Sequence, residues 1–165
     1  MNIEQSKLIE SLFLEMHGLL KSYALGILRD ESLAEEAVQE TFQVACIRPE
    51  ALFESPNPKG WLVNTLKLTL RNMIRSRESS QRLLSKYLSM QMDTMAFSED
   101  KVSFEVMYQN ISDTEEFKLI KEMAIDGKSH LEMAQARGIT VTACKKRVQR
   151  AKEILKRKLK IDVTL

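Results

Sequence analysis

Apolar residues recur at three- and four-residue spacing along most of this chain, and few residues interrupt them. Five glycines and three prolines are spread over 165 residues, too few for the turns of a β-sandwich or barrel. The abundant Leu, Met, Glu, Lys, Gln and Arg lose little side-chain freedom in a helix. The pattern predicts an all-α protein. Hydrophobic residues make up 44 %, enough to bury a core rather than leave the chain disordered. The length fits one ordinary domain or two small ones.

The periodicity predicts a first helix over about residues 3–28, with Leu8, Leu12, Met16, Leu19, Tyr23 and Ile27 as one inward stripe. Ser32 and Glu35 read as a capping box that opens a second helix. Its inner side would carry Ala34, Val38, Thr41, Phe42 and Ala45, and Pro49 would end it. Residues 48–60 hold all three prolines and are expected to be a loop. Asn57 and Pro58 look like the N-cap and first position of a third helix, ending near Arg77. That helix has an apolar row, Leu62, Leu66, Leu70 and Met73, and a basic row, Asn64, Lys67, Arg71 and Arg75. Such a basic row is either a solvated face or a surface for phosphates.

Residues 78–110 are rich in Ser and Met, mildly acidic and weakly periodic. They read as a flexible linker, helical at most at its ends. Two small helical domains are therefore expected, over residues 1–77 and 111–165. Net charge differs between them. Residues 1–77 hold nine Lys/Arg and ten Asp/Glu, whereas residues 111–165 hold thirteen and eight. The basic excess lies at the C-terminal end, where a polyanion would be met.

The last 55 residues read as three helices. The first starts near Asp113, points Phe117, Ile120, Met123 and Ala124 inward, and ends before Gly127. Ser129 and Glu132 form a second capping box, opening a short helix that stops before Gly138. Thr140 caps the last helix, which runs to about Lys160. A short capped helix, a glycine turn and a longer basic helix make a helix-turn-helix. Val141, Cys144, Val148, Ala151 and Leu155 share one face of the last helix, with Ile139 and Met133 filling the angle between helices. Thr142, Lys146, Gln149, Arg150 and Arg157 lie opposite, flanked by Lys145 and Arg147. Thr142, Lys146 and Gln149 are candidates for base edges; Lys145, Arg147 and Arg150 are candidates for phosphates. The bland reading of this face is a solvated side of a helical bundle.

Other chemistry finds little support. His17 and His130 are far apart in sequence without metal-ligand spacing, and Cys46 and Cys144 form no disulfide or zinc pattern. Glu35, Glu36 and Glu40 cluster without a base or metal partner, which suits a partner surface better than a catalytic pair. No enzyme activity, cofactor or metal is expected. The apolar stretch near Leu12 is interrupted by Glu15 and His17, so neither a membrane span nor a signal peptide is expected, and a cytoplasmic location follows.

Three segments, in order, resemble the extracytoplasmic-function (ECF) group of bacterial sigma factors. The run Ala34-Glu35-Glu36-Ala37-Val38-Gln39-Glu40-Thr41-Phe42 is similar to their region-two motif. Trp61-Leu62 followed by Arg71 to Arg77 is similar to the helix that meets the minus-ten element. The segment from Asp126 to Ala151 is similar to their region-four helix-turn-helix. The resemblance implies a factor that binds core RNA polymerase and directs it to promoters. It implies that Glu36, Gln39, Glu40 and Phe42 serve core binding at the β′ clamp helices, with Phe42 open to a core-packing role instead. It implies minus-ten contacts from Asn57, Lys59, Trp61, Asn64, Lys67, Arg71 and Arg75, in which the loop of residues 52–59 holds a flipped base. Asn57 could equally cap its helix, and Trp61 could equally pack. Thr140, Thr142, Lys145, Lys146, Arg147, Gln149 and Arg150 would serve the minus-35 element, near the β flap. An anti-sigma partner is implied as well. The pattern departs from the family at Leu68, where Asn is usual, and at Arg137 and Cys144, where aliphatic residues are usual. A free-standing helix-turn-helix regulator is the alternative, and a helical enzyme or adaptor a more distant one.

Overall fold

The computed structural model describes residues 1–95 and 114–163, with side chains described up to Tyr87 in the first stretch and Lys158 in the second. All secondary structure among the described residues is helical: α1 (Ile3–Leu28), α2 (Glu31–Ile47), α3 (Pro49–Phe53), α4 (Pro58–Met95), α5 (Glu115–Ala124), α6 (His130–Arg137) and α7 (Val141–Val163). None of these helices is long and apolar enough to cross a membrane. The chain divides into two compact units, Met1–Arg75 and Ser76–Leu165, and the boundary falls within α4.

In the first unit, α1 is capped at its start by Asn2, whose Oδ1 accepts from the Gln5 N–H at 2.8 Å. It ends at Arg29, a left-handed residue with φ 53°. That conformation costs a non-glycine residue roughly 1 kcal/mol, and it lets α2 begin two residues later. The cap of α2 is Asp30, whose Oδ1 accepts from the Leu33 N–H at 2.8 Å. Ser32 and Glu35 thus lie inside the helix and do not form the expected capping box. Two capping residues compete here, and the earlier one adds helix and sets a carboxylate at its positive end.

The core of this unit joins Ile9, Leu12, Met16, Leu20 and Ala24 of α1 to Ala34, Ala37, Val38, Phe42 and Ala45 of α2 and to Leu62, Leu66 and Leu70 of α4. Each fully buried Leu contributes about 1.5–3 kcal/mol. The expected stripe of α1 is corrected by rotation: Leu8, Leu19, Tyr23 and Ile27 are exposed, while Ile9, Leu20 and Ala24 are buried. α1 carries apolar residues on more than one side, so spacing alone did not tell which side faces the core. The expected loop 48–60 also differs. Pro49 opens α3 and Leu52 is fully buried, so Leu52 is a core residue, not part of an open loop.

The second unit begins with the continuation of α4. Ser80, Leu83, Leu84 and Tyr87 are buried there, with Leu83, Leu84 and Tyr87 packed among Phe117, Leu119, Ile120, Ala124, Ala151 and Leu155. The Gln81 side chain donates to the Ala124 carbonyl at 2.8 Å, satisfying the end of α5. Lys152 Nζ donates to Ser76 Oγ at 2.9 Å; burial pushes its ammonium pKa down, and Lys156 adds to the shift. The helix expected to stop near Arg77 therefore runs on, and the first part of the expected linker is core-forming helix. The remainder of that linker, residues 96–110, lies outside the described residues.

Candidate nucleic-acid interface

The basic face of α4 in the first unit is built from its start. Asn57 Oδ1 accepts from the Gly60 N–H at 3.0 Å, so Asn57 caps the helix here. A Cβ on Gly60 would lie 2.7 Å from Asn57 Nδ2, which is why glycine fits at this position. Lys59 is ion-paired with Glu15 of α1, and Trp61 is half-buried against the core. These two therefore fix the start of α4 to the unit. Beyond them Asn64, Lys67, Arg71 and Arg75 are all exposed. Lys67 Nζ stands 6.0 Å from the Tyr23 ring centroid, at the outer limit of a cation–π contact. Among the described residues, Arg71 and Arg75 take part in no ion pair. From Pro58 to Arg77 the sequence holds Lys59, Lys67, Arg71, Arg75 and Arg77 and no acidic residue. A cationic helix face without internal neutralisation attracts polyanions.

On α2, the expected polymerase-facing residues separate. Gln39 is exposed and Glu40 half-exposed. Glu36 is only 5 % exposed, and Phe42 is buried edge-on against Phe13 with ring centroids 4.9 Å apart. Glu36 and Phe42 thus do not share an open surface with Gln39. Helix α2 is tied to α1 by polar contacts: His17 Nε2 lies 2.9 Å from Glu35 Oε1, and Lys21 Nζ lies 3.2 Å from Glu31 and 3.4 Å from Glu35. Burial would raise the Glu35 pKa, but His17 and Lys21 outweigh it and hold the carboxyl below its ordinary range. Its neighbours Glu31 and Glu35 in turn hold Lys21 charged. The sequence pattern points Glu35 to a cap; the packing of α2 on α1 brings it to His17 and Lys21 instead.

In the second unit, α6 and α7 meet across a short turn. Ser129 and Glu132 form their capping box, with the Glu132 N–H donating to Ser129 Oγ at 3.1 Å. Gly138 takes φ 64°, in the left-handed region that glycine adopts without strain. The Ile139 N–H then donates to the Ala134 carbonyl at 3.1 Å, and Thr140 Oγ1 accepts from the Ala143 N–H at 3.1 Å. Met133 and Ala134 of α6 pack against Cys144 and Val148 of α7, with Ile139 at the turn. Arg137 bridges α6 to α5: Nη1 lies 2.8 Å from Glu122 and Nε 3.4 Å from Glu115. Glu122 raises the Arg137 pKa most, and the guanidinium stays charged.

This packing turns one face of α7 inward and leaves the other open. Cys144, Val148, Ala151 and Leu155 are buried. Thr140, Thr142, Lys146, Arg147, Gln149 and Arg150 are exposed, and Lys145 is half-exposed. All seven C-terminal candidates therefore reach solvent. The second half of α4 has only a short sequence signal, Ser80, Leu83, Leu84 and Tyr87 at helical spacing within a Ser-rich stretch.

Comparison with protein families matches residues 12–80 to sigma-70 region 2. Comparisons with curated proteins and with solved structures gave no match. The matched segment contains α2, α3 and the basic row of α4, the elements whose geometry has just been described. Residues 12–80 are thus similar to region 2 of the sigma-70 factors, the promoter-recognising transcription initiation factors.

Proposed function

We propose that the chain is a sigma factor of the small ECF kind, acting by binding in the cytoplasm and not by catalysis. In this reading the Gln39-Glu40 side of α2 docks on the β′ clamp helices of core polymerase. The exposed row Asn64, Lys67, Arg71 and Arg75 meets minus-ten DNA. Helices α6 and α7 form a helix-turn-helix whose open face meets minus-35 DNA beside the β flap. The observation that carries it is the conjunction of two exposed basic helix faces in one chain, one within the sigma-70 region 2 match and one on α7. An anti-sigma partner covering one of these faces belongs to the same reading. Run-off transcription with core polymerase tests it. Promoter-specific transcripts are expected on addition of the protein. No transcript from any selected promoter, together with no measurable core binding, would sink the proposal.

A free-standing operator-binding regulator is the second reading, favoured by the C-terminal unit having its own open basic helix. The double change Gln39→Ala, Glu40→Ala separates the two. It impairs a sigma factor and leaves such a regulator unaffected.

A further inference from the structure

In the arc of α4 that holds Asn64, Arg71 and Arg75, one residue has the wrong chemistry for a solvated or purely phosphate-binding surface. Leu68 is 56 % exposed and belongs to no core cluster. A single exposed leucine needs no explanation in general; what sets Leu68 apart is its surroundings. With residues placed 100° apart, Asn64, Leu68, Arg71 and Arg75 fall within an arc of about 60°. That arc lies opposite the buried Leu62, Leu66 and Leu70. Leu68 is one turn past Asn64 and one turn before Arg71, and both neighbours are exposed. A nucleic acid held by Arg71 and Arg75 is brought against Leu68 as well, because side chains three and four apart on a helix are only about 5–6 Å from one another. The isobutyl group neither donates nor accepts a hydrogen bond. The one apolar group on the edge of a base pair is the C5-methyl of thymine in the major groove.

We propose that Leu68 is a specificity-determining residue that packs on a thymine methyl group of promoter DNA, while Arg71 and Arg75 hold the adjoining phosphates. This rests on the promoter-binding reading above. Asn64 sits within the same arc and is the side chain there with both a donor and an acceptor for a neighbouring base edge. The basic residues set affinity, and Leu68 sets a preference for thymine at one position.

The test uses the whole protein reconstituted with core polymerase. Promoter fragments are first selected from a random DNA library. Each thymine near the minus-ten element is then replaced singly by deoxyuridine, which removes the methyl group and keeps the pairing. Wild-type affinity should fall about fourfold at one position, the value of one lost buried methyl. Leu68→Ala, an exposed change whose fold is checked by its melting temperature, should bind the thymine and deoxyuridine fragments equally at that position. Leu68→Met should restore the discrimination. Equal wild-type affinity at every replaced position would overturn the inference. So would a Leu68→Ala protein that discriminates as strongly as wild type, or that loses affinity with no wild-type discrimination, as a wedge between bases would. Failure of the reconstituted enzyme to select any fragment would overturn the sigma-factor reading itself, and Leu68 with it.

Discussion

The basic faces of α4 and α7 are built differently although both lie opposite a row of buried apolar residues. On α7 the open face is continuous and polar, with Thr142, Lys146, Gln149 and Arg150 all exposed. Its start is shaped by the Gly138 turn and the Thr140 cap. On α4 the exposed row is broken by Leu68, and at the start of the helix Lys59 is committed to Glu15 and Asn57 to the cap. A continuous row of hydrogen-bonding side chains at the start of a helix suits groove reading. A sparse cationic row with one apolar member suits backbone contact plus a single apolar contact. Net charge alone would not separate the two.

The largest effect is expected from the support beneath α7. Leu84→Ala removes a fully buried side chain from the second unit's core, which costs about 2–5 kcal/mol. Hydrogen exchange should then accelerate across α5, α6 and α7 and stay unchanged in α1 and α2. Equal loosening of both units would break the comparison, since α4 would not be serving the second unit specifically. Next come the faces themselves. Lys146→Glu with Arg150→Glu should weaken binding to a minus-35 fragment about a hundredfold and relax its sequence preference. Arg71→Ala with Arg75→Ala should weaken minus-ten binding evenly across sequences and lower the salt dependence by about two ions. If both double changes altered sequence preference alike, the distinction between the faces would fail.

The smallest effect concerns the ties that place α2. Glu35 has a lowered pKa in the folded state. Its stabilisation is therefore fully present above the ordinary carboxylate pKa and is lost as pH falls through the lowered one. The first unit should lose stability on acidification below about pH 4.5, by about 1 kcal/mol or less from this partly exposed cluster. Glu35→Gln should flatten that part of the melting-temperature profile. An unchanged profile would remove the tie from consideration.

What was legible beforehand follows the same physical lines. The α7 face was readable because Cys144, Val148, Ala151 and Leu155 repeat at helical spacing between strongly polar residues. The Ser129 cap and Gly138 turn were readable because few residue types satisfy those positions. Rotation of α1 was not readable, because Leu8, Leu19 and Tyr23 compete with Ile9, Leu20 and Ala24 for the core. Nor was the start of α2, where Asp30 outcompetes Ser32. Leu83, Leu84 and Tyr87 were hidden by averaging over a polar, Ser-rich stretch. Exposure of Gln39 with burial of Glu36 and Phe42 needed the three-helix packing to decide.

Footprinting of a selected promoter by the protein bound to core polymerase tests the two-grip claim most directly. Two separate protected stretches are expected, both dependent on core polymerase. Arg71→Ala with Arg75→Ala should weaken the downstream stretch, and Lys146→Glu with Arg150→Glu the upstream one. A single protected block lost equally in both variants, or full protection by the protein without core polymerase, would contradict it.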